Sequence, residues 1–107
     1  MKLSVIIPCY NEEQTVAELL KRVLSADISP WTKEVIVVDD ASTDGTPGIL
    51  KGFRKSLKVI RLDENGGKGT AVRRGLSEAL GDYIVIQDAD LEYDPVDIPA
   101  LLKKLDS

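Results

Sequence analysis

The sequence predicts an α/β domain, a mostly parallel β-sheet between two layers of helices (three-layer α/β/α). Two observations carry this. Short β-branched runs alternate with segments of helical periodicity, and the alternation repeats four times with short connections. Such a repeat implies right-handed βαβ crossovers, which lay helices on the faces of a parallel sheet.

Leu3 to Ile7 is a short apolar run that predicts the first strand, stopped by Pro8. From Asn11 the period becomes helical: Val16, Leu19, Leu20, Val23 and Leu24 fall on one face, with Asn11 as N-cap and Gln14 as its capping-box partner. Ser29-Pro30 ends that helix. Glu34 to Val38 is apolar after its first residue, as a strand covered on both faces should be. Thr46-Pro47 has the chemistry of an N-cap followed by proline at the first helical position, opening a helix through Ile49, Leu50 and Phe53. Lys58 to Leu62 predicts a third strand. Glycines 66, 67 and 69 precede a helix whose expected inner face is Val72, Leu76, Ala79 and Leu80, closed by Gly81 as a left-handed C-cap. Tyr83 to Ile86 predicts a fourth strand. A last helix is expected from Asp94-Pro95, burying Ile98, Leu101, Leu102 and Leu105.

The 107 residues suffice for one domain, expected to span 1–107. The balance of 14 Lys+Arg against 18 Asp+Glu, a net charge of −4, argues against a general nucleic-acid-binding surface. A chain 43% hydrophobic and 30% charged folds, and no apolar run approaches the length of a membrane span. The chain has no histidine and one cysteine, Cys9, so Ser-His-Asp and Cys-His catalysis, His-ligated zinc and an internal disulfide are all excluded. The remaining chemistry belongs to carboxylates, Lys/Arg, backbone amides and a hard metal ion.

In a parallel sheet, ligands bind beyond the carboxyl ends of the strands. The four segments there are 8–12, 39–44, 63–69 and 87–92, and all four are polar. From Asp82 to Asp97 the chain holds six acids and no Lys or Arg. Asp88 and Asp90, at the end of a buried strand, repel each other unless a cation joins them. An oxygen-ligated Mg²⁺ or Mn²⁺ bridging a diphosphate is the simplest remedy; Asp94 and Asp97 read instead as caps and loop solvation. Of Asp39 and Asp40, one is expected to serve a ligand's ribose or base and the other the loop, with Asp44 structural. Asn65 to Gly69 opens a helix and can present amides and Lys68 to an anion. It is neither a Walker A loop, since Leu62 stands where the first glycine belongs, nor a dinucleotide fingerprint, since Val72 replaces the last. Residues 40–45 open like a calcium loop, but Lys51 stands where the bidentate Glu is needed. Tyr10 is placed to stack on a base and Glu12 is expected in the first helical turn. Arg73 and Arg74 read as solvated, Trp31 as an edge cover, and Cys9 as a small buried residue.

Together the segments resemble the family 2 (GT-A fold) glycosyltransferases. Pro-x-Tyr-Asn-Glu (8–12), Val-Asp-Asp-x-Ser-x-Asp-Gly-Thr (38–46), Asn-x-Gly-Lys-Gly-x-Ala (65–71) and Asp-Ala-Asp-Leu-Glu (88–92) stand in the family's order and spacing, over residues 3 to 98. The last two look closest to the polyprenyl-phosphate (dolichyl-phosphate) mannose or glucose synthases.

The resemblance implies the Rossmann-like, nucleotide-binding half of a GT-A fold. It puts Pro8, Tyr10 and Glu12 in the nucleotide pocket, Val38 and Asp40 at the base, and Lys68 near the nucleotide. Asp88, Ala89 and Asp90 become the D-x-D that holds Mg²⁺ or Mn²⁺ against the donor diphosphate. Glu92 stands as a third metal contact, where relatives often carry Gln. The implied reaction is inverting transfer from a UDP- or GDP-linked sugar, with a polyprenyl phosphate as acceptor. The implied location is the cytoplasm, at the cytoplasmic face of the membrane. Family domains run to about twice this length, so the chain matches the donor-binding half, and the catalytic base is not assigned. A non-catalytic nucleotide-binding module, or half of a split enzyme needing a partner, stands as the alternative. A short sheet with open edges leaves a homo-oligomer or partner subunit as an expectation. A phosphoacceptor receiver domain is disfavoured, because it needs acids after strands one and three, and here they follow two and four.

Overall fold

The computed structural model describes residues 1–90; the expected last helix and the expected metal contact Glu92 lie outside them. Four strands, β1 (Lys2–Cys9), β2 (Thr32–Asp39), β3 (Lys58–Arg61) and β4 (Tyr83–Ile86), form one sheet in the order β3-β2-β1-β4. All three pairings are parallel, and Val5 aligns with both Val35 and Val85.

The helices are α1 (Val16–Ser25), α2 (Thr46–Lys51) and α3 (Lys68–Glu78). Alternate residues of the central strands face opposite layers. Leu3, Val5, Ile7, Val35 and Val37 pack with Val16, Leu19, Leu20 and Val23 of α1 and Leu50 of α2. On the other face Ile36, Val38 and Ile60 pack with Ala71 of α3. The chain therefore steps from β1 outward to β2 and β3 with its helices on one face, then returns across the other face to β4. That reversal makes the gap between β1 and β4 the topological switch point, where a ligand crevice opens.

Several local expectations are corrected. Pro8 does not stop β1, which continues to Cys9 and pairs Pro8 with Val38. The Ile6 carbonyl accepts from Gln87 N, on the β4 side, so two residues on the missing N–H of Pro8 faces that same side, where pairing has ended. Helix α1 starts at Val16, not near Asn11. Asn11 instead takes a left-handed φ of 51°, and its Oδ1 accepts the amides of Thr43 and Asp44 at 2.8 and 3.3 Å. Glu12 therefore precedes the helix, its carbonyl accepting from Thr15 N and Val16 N. Helix α2 ends at Lys51, before Phe53.

The inner face of α3 differs most. Ala71 and Gly75 are its buried residues, while Leu76 and Leu80 are exposed. A Cβ on Gly75 would lie 2.5 Å from Ile6 Cγ2, so the helix approaches β1 on small residues. Gly81 is not the left-handed cap. The helix ends three residues earlier at Glu78, and a Cβ on Gly81 would lie 2.6 Å from the Ser4 amide nitrogen, so close approach requires the glycine.

Candidate functional site

An open cleft of about 550 Å³ lies at the carboxyl ends of β1 and β4. Pro8, Tyr10 and Glu12 enter it from the end of β1, Asp40 from just past β2, Lys68 from the start of α3, and Asp88 and Asp90 from beyond β4. The sheet order brings together segments up to about 80 residues apart. Two expected site residues are not on its wall. Val38 is fully buried beneath α3, and Ala89 is buried against the α1 side of the core.

Asp39 and Asp40 divide their duties as follows. Asp39, buried, accepts from Arg61 Nη1 at 2.7 Å and from Ser42 N at 3.0 Å, fixing the loop after β2. Asp40 is also buried, and its two carboxylate oxygens accept the amides of Gly66 and Gly67 at 2.9 and 2.8 Å. Asn65 Nδ2 adds a bond to the Asp40 carbonyl. Asp40 thus anchors the glycine loop while still lining the cleft, and the Gly66 and Gly67 amides are already engaged. Gly67 sits at φ 88°, the left-handed region that glycine tolerates. Asp44 is structural: its oxygens accept from Thr46 N and Glu13 N.

The rim nearest β4 is strongly acidic. Burial pushes the Glu12 carboxyl above its ordinary value, Asp90, Asp44 and Asp88 push it further, and a bond from Thr15 opposes them. Lys68 Nζ forms an ion pair with Asp88 Oδ1 at 2.5 Å. The Cys9 thiol, pushed up to about 12 by burial and by the charges of Asp39 and Glu12, is no nucleophile.

Among the described residues no group of three or more acidic or thiol side chains converges on an ion position. Asp88 and Asp90 nevertheless supply two hard oxygen donors at the cleft. That set suits Mg²⁺ or Mn²⁺, which bind through one or two carboxylates and complete their shell with phosphate oxygens and water.

Sequence reasoning missed Thr15, whose hydroxyl donates to the Ala89 carbonyl at 2.7 Å, and Ala71, which lines the cleft. A lone threonine ahead of a helix carries no signal of a partner 74 residues away.

Fold and cleft define a parallel α/β protein with a ligand crevice at its switch point. The chain belongs to glycosyl transferase family 2, whose family model matches residues 4–107. It is 41% identical over 107 residues to a dolichol-phosphate mannosyltransferase of Pyrococcus furiosus, covering 98% of this chain and 30% of that protein. Among solved structures, S. aureus TarS 1-349 in complex with UDP-GlcNAc matches with a TM-score of 0.82 and 36% identity, over 99% of this chain and 31% of that one. Mannosyltransferase PcManGT of Pyrobaculum calidifontis, in complex with GDP-Man and Mn²⁺, matches with a TM-score of 0.73 and 36% identity, over 82% of this chain and 27% of that one. The chain spans between about a third and just under half of the length of the curated relatives it matches.

Proposed function

We propose that residues 1–107 form the donor-binding part of a glycosyltransferase that takes a UDP- or GDP-linked sugar and transfers the sugar with inversion, to a polyprenyl phosphate. The observation that carries this reading is the meeting of Tyr10, Glu12, Asp40, Lys68, Asp88 and Asp90 on one cleft. Tyr10, 45% exposed at the rim, offers a face for a base to stack on. The Asp40-anchored glycine loop bounds the nucleotide, and Lys68 offers a cation to the diphosphate. Asp88 and Asp90, with Glu92 beyond, would hold Mg²⁺ or Mn²⁺. When bound, that ion stabilises charge on the departing nucleoside diphosphate as the acceptor oxygen attacks the anomeric carbon.

The PcManGT complex with GDP-Man and Mn²⁺ supports the metal and the donor class, and the dolichol-phosphate relative supports the acceptor class. Among the described residues no helix is long and apolar enough to cross a membrane. A lipid-phosphate acceptor would place the reaction at the cytoplasmic face of a membrane. Among the described residues β3 and β4 form the edges of the sheet, and a partner subunit or second copy would extend it at one of them.

Calorimetry tests the reading. UDP- or GDP-sugar binding is expected to require Mn²⁺ or Mg²⁺ and to be lost with EDTA or Asp90→Ala. Binding of equal strength with EDTA and in Asp90→Ala would refute it.

A further inference from the structure

The ion pair between Lys68 and Asp88 joins one residue proposed to face the diphosphate to another proposed to face the metal. Both side chains line the cleft, and they are 61% and 28% exposed. A lysine ammonium is a compact charge on a flexible four-carbon stem, and an exposed pair is held weakly, so this partner can be exchanged at little cost. The anchoring of Gly66 and Gly67 on Asp40 fixes where the Lys68 backbone starts, and the freedom lies in the side chain.

An ammonium on the Asp88 carboxylate and a divalent cation on the same carboxylate repel each other at close range. The rim nevertheless gathers three carboxylates, Glu12, Asp88 and Asp90, on one cleft, and Asp90 and Asp88 add to the burial that already raises the Glu12 carboxyl. Lys68 supplies positive charge there from the first residue of α3.

We propose that Lys68 is an exchangeable occupant of the metal-side carboxylate. It pairs with Asp88 before a nucleotide binds and moves to the diphosphate when one enters, so nucleotide and metal bind cooperatively through this one side chain. The proposal rests on the reading of the cleft as a metal-dependent nucleoside-diphosphate site. It follows that Lys68 weakens the metal when the metal binds alone and strengthens the nucleotide. By linkage each ligand raises the affinity of the other by the same factor.

The test is Mn²⁺ titration of the full chain, alone and with saturating UDP or GDP, read by calorimetry and by the electron paramagnetic resonance of free Mn²⁺. Wild type is expected to bind Mn²⁺ at least about tenfold more tightly with nucleotide than without. In Lys68→Met and Lys68→Gln, Mn²⁺ alone is expected to bind several-fold more tightly than to wild type, and the nucleotide-induced gain should shrink at least about fivefold. Arg73→Met removes the same charge from the exposed face of α3 and should leave the gain at its wild-type value. Lys68 variants that keep the wild-type affinity for Mn²⁺ alone and the wild-type gain would overturn the proposal. So would an Arg73→Met effect as large as that of Lys68→Met, which would reduce the coupling to net charge. Wild type that binds neither Mn²⁺ nor nucleotide would overturn the site reading itself, and Lys68 exchange with it.

Discussion

The hydroxyl of Thr15 donates to the backbone carbonyl of Ala89 at 2.7 Å, tying the start of α1 to the residue between Asp88 and Asp90. Ala89 is 3% exposed and packs in the α1-side core, so the two aspartates project from a point held by both a hydrogen bond and burial. A carboxylate pair that must meet an ion within a few tenths of an ångström gains from such a fixed base.

Thr15→Val keeps the shape and removes the hydroxyl, whose one proton serves the Ala89 carbonyl at 2.7 Å and reaches Glu12 Oε2 only weakly, at 3.4 Å. The expected loss is about 1 kcal/mol of stability, the net worth of one hydrogen bond of this kind. Mn²⁺ affinity should fall several-fold in the same variant, while Thr15→Ser restores both. Urea melts and Mn²⁺ titrations check this, and unchanged Mn²⁺ affinity in Thr15→Val would show that the Ala89 bond does not position the pair.

Glu12 carries a pH signature. Burial first, and then the charge of Asp90, raise its pKa above the ordinary 4.5, so the folded chain holds that proton more tightly than the unfolded one. The contribution to stability is complete below the ordinary value and is lost as pH rises through the raised native value. At neutral pH the charged Glu12 is therefore a liability, and Glu12→Gln should melt above wild type. The gain should be about 1 kcal/mol or less, given the partial exposure, and it should vanish below about pH 4. Thermal melts of both proteins from acid to neutral pH read the difference directly. A variant less stable than wild type at pH 7 would contradict the unfavourable charge.

The strands, their parallel pairing and the meeting of four polar segments were legible in the sequence, because period and turn chemistry are local signals and the crossover rule turns them into topology. What was not legible depends on which neighbour a residue meets. Val38 was expected at the base, but in a strand buried on both faces an apolar run hides which residues face which layer; Val38 falls beneath α3. Asn11 has a side chain suited equally to capping a helix and to binding a distant loop, and the loop at 43–44 wins. In α3 the large apolar residues looked like the inner face, whereas the helix packs on its small ones. Hydropathy registers size and greasiness, and close approach needs neither.

Gly75 makes that last point measurable. Added to Gly75, a Cβ would sit 2.5 Å from Ile6 Cγ2 and 3.4 Å from Ile6 Cγ1, and Ile6 is a fully buried residue of the central strand with no room to withdraw. On Gly69, in the first turn of the same helix, a Cβ would meet only the flexible end of Arg73, at 3.5 Å. Neither glycine has a positive φ, so backbone strain does not separate them. Alanine is the better helix former, by up to about 1 kcal/mol per site. Gly69→Ala should therefore be neutral or stabilising, within that bound. Gly75→Ala should instead lose about 1–3 kcal/mol, because overpacking pushes α3 off the sheet and outweighs the propensity gain. Urea denaturation of the two variants against wild type reads the opposite signs. If Gly75→Ala were as stable as Gly69→Ala, then α3 does not lie on β1 at the distance described, and the rim that it sets for Lys68 would have to be redrawn.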